Sequence, residues 1–451
     1  MSSKPAALSP TAASDAGTGR DAGLARGIGA SGLAMAVFNT VVGAGIFVLP
    51  AALARDIGSA APLAYLGCGI GMAGVVLCFA AAASRVPTSG GPYGYAEAAF
   101  GPYVGFLIGV LVWLGAVLAA AGISAAIADA AGRFIPLFTH PPERNMLIVA
   151  LLGAIGAINI LGVAPGARLV GLLTVVKLVP LAVLLGVGAL HVHVSNLALS
   201  VPAPSAFGRA MLLAAFSFQG MEGALAVSGE VRRPARNIPL GLLSAMSCVA
   251  LLYVAIQVVT EGVLGPALGR SAAPLADALA GVSPALVALL LVGATVSMMG
   301  YLAGDMLSAP RILFAFGRDR FLPRWVAVLH SRTRAPYVAI LLHVGVGALL
   351  AVSGSFAELA VLSALATVGV YIVSCVAAVV LQRRHVARSG PPLKLPMLPA
   401  AAAVGVVSMI WIGAHATWRE ALGFVATLVV STIWYVAALK LNRSTGRTPP
   451  A

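Results

Sequence analysis

Glu222 and Lys177 are the two side chains in this sequence best placed to do chemistry. Each is an ionisable group inside an apolar run: Lys177 in L-L-T-V-V-K-L-V-P and Glu222 in F-S-F-Q-G-M-E-G. A charge at membrane depth is costly, so such a residue either serves function or is satisfied by nearby groups. Lys177 must find partners or shed its proton. That suits a proton carrier, or a fixed cation standing where a sodium ion would bind. Snorkelling to the interface is the alternative, but nine residues of its run precede it and thirteen follow. Glu222 sits between Gly220 and Gly223, where it can take up a proton or bind freed backbone N–H groups. The third feature is Val41–Val42–Gly43–Ala44–Gly45–Ile46, a Gly-Ala-Gly break inside the apolar run 27–53. Glycine weakens a helix. In lipid, non-helical backbone is tolerated only where protein buries it or where it lines a polar cavity. A half-helix beginning there would offer N–H groups to an anion such as a carboxylate. Close packing of a neighbouring helix on the small residues is the competing explanation.

The remaining candidates carry weaker signals. Phe38, Phe47, Trp113, Phe216 and Phe218 lie near the breaks, where rings can close over a substrate or simply pack. Asn39, Gln257 and Asp305 are in-span polar groups expected to bond within the bundle. His191 and His193 form an H-x-H in a loop, which reads as solvated rather than as a metal site. The four cysteines, Cys68, Cys78, Cys248 and Cys375, all fall in apolar runs and read as small buried thiols. No metal or cofactor is expected, and no nucleophile–base set of an enzyme is present. The segment E-V-R-R-P-A-R-N-I-P from Glu230 to Pro239 is an inside loop whose Glu230 and Arg236 offer a salt-bridged gate.

Such residues need spanning helices to hold them. The 451 residues are 60% hydrophobic and only 9% charged, against about 25% charged in soluble proteins. An all-α polytopic membrane protein follows. Its net charge of +14 reflects loop lysines and arginines, not nucleic acid binding. With about 20 apolar residues needed per span, twelve spans are predicted: 28–54, 62–83, 103–131, 146–163, 168–190, 207–229, 239–262, 284–316, 336–354, 357–381, 397–416 and 420–440. With the N-terminus inside, cytoplasmic segments hold 21 of the 28 Lys and Arg, and outside loops hold five. Both termini are therefore expected in the cytoplasm of a cell with this protein in its inner membrane. Residues 1–27 and 441–451 read as cytoplasmic tails, the first disordered and without a secretory signal.

Twelve spans fit a secondary transporter built from repeats of opposite orientation. If 207–381 repeats 28–190 upside down, its first span should also be interrupted. Gly220 and Gly223 around Glu222 meet that expectation, leaving 397–440 as two added helices. Paired interruptions point to a site at the bilayer midplane.

Four motifs, in order on these spans, then resemble the amino acid–polyamine–organocation permeases. They are G-A-G-I-F at 43–47, P-T-S-G-G-P-Y-G-Y at 87–95 with A-F-G-P-Y-V-G-F at 99–106, F-S-F-Q-G-M-E at 216–222 with the loop that follows, and P-R-I-L-F-A-F-G-R-D-R-F-L-P at 310–323. The resemblance implies a five-plus-five inverted-repeat core like that of the bacterial leucine transporter, with helices 1 and 6 discontinuous. It implies that N–H groups around Ala44, Gly45 and Ile46 hold a substrate carboxylate. Carbonyls near Val41, Val42, Phe216 and Phe218 would receive the α-ammonium. Gly43, Ser217 and Gly220 complete the substrate-binding breaks, Phe216 would occlude the substrate, and Glu222 and Lys177 would carry proton coupling. The sequence departs from the family pattern at Gln219, Met221, Arg233 and Pro310. No second acid is evident beside Glu222 for a cationic side chain, which favours a neutral amino acid. The expected activity is secondary active, proton-coupled transport of an amino acid or amine by a monomer or homodimer. An exchanger or exporter on the same fold is the alternative, and a non-transporting membrane sensor the remote one.

Overall fold

The computed structural model describes residues 27–87, 90–161, 163–388 and 390–444. Most of the two tails read from the sequence, 1–26 and 445–451, lies outside the described residues. The chain is a bundle of helices. The first three are α1 (Ala30–Val41), α2 (Gly45–Ile57) and α3 (Ala61–Arg85). They are followed by α4 (Pro92–Phe100), α5 (Pro102–Phe134), α6 (Pro141–Leu161) and α7 (Val163–Gly188). Next come α8 (Pro204–Ser217), the single turn α9 (Met221–Ala224), α10 (Pro234–Leu264) and the short α11 (Pro274–Asp277). The last six are α12 (Pro284–Ser308), α13 (Pro310–Arg318), α14 (Tyr337–Ser353), α15 (Phe356–Arg383), α16 (Leu398–Gly413) and α17 (Trp418–Ser444).

Proline sets many of these starts. α4, α5, α8, α10, α12 and α13 each open on Pro in the first turn, where the missing N–H has no partner to lose and φ is already helical. Among the described residues, seven helical stretches are long and apolar enough to cross a membrane. They are Gly45–Arg85, Pro102–Gly132, Pro141–Leu161, Pro234–Arg270, Pro284–Arg318, Phe356–Arg383 and Trp418–Leu441. Four shorter apolar helices accompany them: Ala30–Val41, Val176–His191, Tyr337–Ser353 and Leu398–Gly413. Strand-type pairing is limited, among the described residues, to one isolated bridge. Ile28 N donates to Glu230 O at 3.1 Å and Arg232 N to Ile28 O at 2.8 Å. This pins the start of α1 to the segment after α9.

Burial separates inner from outer helices. Two-thirds of the apolar windows of α5 and α15 are buried (67% each), against 6% for α17. α15 packs on α5, α3 and α16, while α10 packs on α3 and α1 and α12 on α7. The core between them holds the fully buried rings of Tyr65, Phe79, Tyr95, Phe218, Tyr253 and Tyr371. Phe79 meets Tyr95 and Tyr371 edge-on, with centroids 6.2 and 5.5 Å apart, a geometry in which the edge of one ring meets the electron-rich face of the other. Around these rings the walls are alanine-rich, which lets backbones approach closely. Glu420 on α17 is bound by Arg209 of α8 through two parallel bonds of 2.7 and 2.8 Å. That fork ties the peripheral helix to the core.

Candidate functional site

The site is built by two helices that stop in mid-course and meet. α1 ends at Val41, and α2 begins at Gly45. α8 ends at Ser217; Phe218, Gln219 and Gly220 leave the helix, and α9 lasts one turn before giving way to a 3-10 segment, Leu225–Glu230. The sequence expectation of an interrupted helix therefore agrees with the structure at both places, although the span expected to run to 229 is helical in α form only to Ala224. The two breaks touch. A Cβ on Gly45 would lie 2.6 Å from Ser217 Oγ and 2.9 Å from Ser217 Cα. A Cβ on Gly220 would lie 2.5 Å from Thr40 O, and Gly220 has φ +114°. Both positions need glycine, the first for close approach and the second for close approach and backbone conformation.

Interrupting α1 strands polar backbone groups, and their partners can be traced one by one. Val42 O accepts from Lys177 Nζ at 2.7 Å and from Ser297 Oγ at 3.1 Å. Asn39 O accepts from Lys177 Nζ at 2.7 Å. Val41 O accepts from Tyr253 Oη and from Gly43 N, both at 2.8 Å. Among the described residues, no backbone acceptor takes the N–H groups of Ala44, Gly45 or Ile46. So the carbonyl end of the break is satisfied from inside the protein and the amide end is left open. Lys177 is completely buried, and its ammonium replaces with one charge the bonds that two helix carbonyls lost.

At the second break Glu222 folds back on its own helix start. Gly220 N donates to Glu222 Oε1 at 3.0 Å and Tyr371 Oη to Oε2 at 2.8 Å. Ser217 Oγ lies 3.4 Å from Tyr65 Oη. Phe218 packs against Tyr253, centroids 5.3 Å apart, and Phe216 meets Phe356 edge-on at 5.7 Å.

Two adjoining cavities lie between the breaks. The smaller, about 10 Å³, is lined by Gly43, Ala44, Gly45, Ala119, Phe216 and Gln219 among others. The larger, about 60 Å³, is lined by Glu222, Gly223, Asp305, Ser308 and Ile312. Thr40, Gln219 and Tyr301 line both. Of the sequence candidates, Val41, Gly43, Ala44, Gly45, Phe216, Gly220 and Glu222 line one cavity or the other. Val42, Ile46, Ser217, Phe218 and Lys177 are buried in the surrounding wall. The carbonyls of Val41 and Val42, expected to receive a substrate ammonium, are already engaged by the groups named above. Glu230 and Arg236 form no ion pair with each other; the Glu230 carbonyl instead receives Ile28 N, and Arg236 is exposed. His191 is exposed, with its Nδ1 3.0 Å from Val187 O. Among the described residues, no three His, Cys, Asp or Glu side chains converge as metal ligands.

Several residues of the site carry little sequence signal. Tyr301, Asp305 and Ser308 are spaced four and three apart on α12 and share one face of it, a periodicity that would have found them together. Asp305 thus lines the same cavity as Glu222, where the sequence reading placed no second acid. It does not stand free: His343 Nε2 lies 2.9 Å from Asp305 Oδ2, with both side chains buried. Tyr253, Ser297 and Tyr371 are further partners of the breaks that hydropathy does not distinguish from ordinary packing residues.

Two broken helices meeting over a cavity inside an apolar bundle describe a transporter. The comparison with known families agrees: the amino acid permease family matches residues 28–439, and the chain belongs to it. An uncharacterized transporter of Mycobacterium tuberculosis is 33% identical over 335 residues, 71% of this chain and 72% of the relative. The methylthioribose transporter of Bacillus subtilis is 26% identical over 91% of this chain and 93% of its own. The branched-chain amino acid permease BcaP of the same organism is 24% identical over 93% and 94%. The protein is a multi-pass membrane transporter of amino acids or related compounds rather than an enzyme.

Proposed function

We propose that the protein is a secondary active transporter that moves a neutral amino acid across the inner membrane, coupled to protons, by alternating access. The observation that carries this reading is the asymmetry of the first break. Its carbonyls are taken by Lys177, Ser297 and Tyr253, while the N–H groups of Ala44, Gly45 and Ile46 have no backbone acceptor among the described residues, and Ala44 and Gly45 line the smaller cavity. Three unbonded amides at a helix start suit a carboxylate. Phe216 O already accepts from Gln219 N at 3.3 Å, so the carbonyl of Phe218 is the one offered to the α-ammonium. Phe216, at the wall of the smaller cavity, is the ring that closes over the substrate.

In this reading twelve spans form a five-plus-five inverted repeat, 28–190 and 207–381, with 397–440 added and both termini cytoplasmic. Spans 1, 2, 6 and 7 rock against the rest. Protonated Lys177 clamps Asn39 O and Val42 O; once neutral it holds them less firmly. Protonation therefore favours one arrangement of the broken helix over the other, which coupling requires. Glu222 is the second proton candidate, and Glu230 and Arg236 are assigned to the cytoplasmic gate. The two relatives matched over more than nine-tenths of the chain are named for branched-chain amino acids and methylthioribose, while two matched over 68% and 82% of it are named for cationic amino acids; the neutral reading follows the longer matches. The purified protein in liposomes, offered a panel of labelled amino acids and amines under an inward proton gradient, should take up an uncharged amino acid. Uptake confined to amines lacking a carboxylate would overturn the proposed role of the three amides.

A further inference from the structure

Gln219 occupies a position where only one of the two polar atoms of its side chain is bonded. It lies in the second break, lines both cavities and is 6% exposed. Its Oε1 lies 2.8 Å from Ser363 Oγ on α15, and its Nε2 has no hydrogen-bond partner. Ser363 Oγ also lies 2.7 Å from Gly115 O. A hydroxyl has one proton, so Ser363 cannot donate to Gly115 and Gln219 at once. If Ser363 donates to Gln219, the amide NH₂ is left without a partner. If Ser363 donates to Gly115, a half-turn of the amide lets Nε2 donate to Ser363 and leaves Oε1 free. In both settings Ser363 holds one polar atom of the amide and the other is unmatched. A buried polar group without a partner costs about 1–3 kcal/mol, which a ligand in the cavity can offset.

We propose that Gln219 is a specificity-determining residue that hydrogen-bonds the side chain of an uncharged, polar amino acid, one ending in a carboxamide or hydroxyl. This rests on the reading of the chain as a neutral amino acid transporter and names the side-chain class within it. The amide can present a donor or an acceptor, and carboxamides and hydroxyls can supply the complement of either. A cationic side chain would have to share carboxylates that are already engaged. Glu222 has both oxygens bonded by Gly220 N and Tyr371 Oη, and Asp305 is paired with His343. A purely aliphatic side chain leaves the Gln219 amide unmatched, and a site with an unmatched polar group discriminates against such a ligand.

The test uses the full chain in liposomes and near-isosteric substrate pairs: threonine against valine, and glutamine against methionine. Wild type should favour the polar member of each pair in kcat/KM by about tenfold or more. Gln219→Met, which keeps the length but removes both polar atoms, should bring that ratio close to one while valine flux is retained or raised. Equal loss of all four substrates would place Gln219 on the shared backbone of the substrate and overturn the assignment, as would an unchanged ratio. If Gln219→Met does not fold, the wild type alone decides: threonine should raise its Tm more than valine at equal concentration, and the reverse order overturns the proposal. Flux of all four amino acids without polar preference removes only the Gln219 assignment. Flux of no amino acid removes the transport reading, and this one with it.

Discussion

Lys177 and Glu222 each complete a helix that stops early. Lys177 is bonded to two carbonyls of α1 at 2.7 Å, and hydrogen bonds to a charged group contribute about 1.5–3 kcal/mol each. Lys177→Met should therefore lower the Tm clearly, since it orphans Asn39 O and leaves Val42 O with Ser297 Oγ alone; an unchanged Tm in a thermal melt would mean that the ammonium is not holding the break. Tyr371→Phe is a milder change that removes one donor from Glu222 and keeps the ring against Phe79. It should cost roughly 1–2 kcal/mol by the same argument, measured as reduced stability in detergent. Both charged residues were legible in the sequence, because an ionisable group in an apolar run stands out on composition alone. Their partners were not. Ser297, Tyr253 and Tyr371 are ordinary span residues until the helix register is known, and backbone carbonyls carry no sequence signature at all.

The two breaks were legible as elements for a different reason: glycine weakens helices, and G-A-G and Q-G-M-E-G place it where an uninterrupted span is expected. What the sequence does not reveal is that the breaks are in direct contact, Gly45 on Ser217 and Gly220 on Thr40. Those contacts depend on the packing of residues 172 and 180 positions apart. Gly220→Ala would combine a strained φ, costing about 1–3 kcal/mol, with a clash against Thr40 O. Gly223→Ala, whose nearest neighbour is Ser308 Oγ at 3.8 Å, should be tolerated. Side-by-side expression and thermal melts should show Gly220→Ala destabilised by at least about 2 kcal/mol relative to Gly223→Ala. Equal behaviour of the two would mean that the glycine at the break is not needed for its conformation. The sequence also overestimated α9. Gly223, Gly229 and the Ser228 hydroxyl, which donates to Leu225 O at 2.6 Å, favour the tighter 3-10 course that follows.

For the whole molecule, apolar runs foretold the bundle and its helical content, because hydropathy reports length directly. Depth within the bundle was not legible. The Gly45–Arg85 stretch and α17 are nearly equal in mean hydropathy, yet 67% of one window and 6% of the other are buried, a difference set by neighbours and not by composition. The proposed orientation puts 270 outside and 388 inside. In a Cys248→Ser background, Arg270→Cys should react with a membrane-impermeant thiol reagent in intact cells, and Arg388→Cys only after permeabilisation. The opposite pattern would invert the topology. Proton-coupled movement through the paired breaks remains the central claim. It is tested most directly by uptake of the preferred amino acid into sodium-free liposomes, with and without an inward proton gradient, for wild type and Lys177→Met. We expect wild type to accumulate substrate against its gradient, collapse of the proton gradient to abolish this, and Lys177→Met to lose accumulation. Accumulation by Lys177→Met equal to wild type, or wild-type flux that needs only trapped amino acid and ignores the proton gradient, would contradict the account.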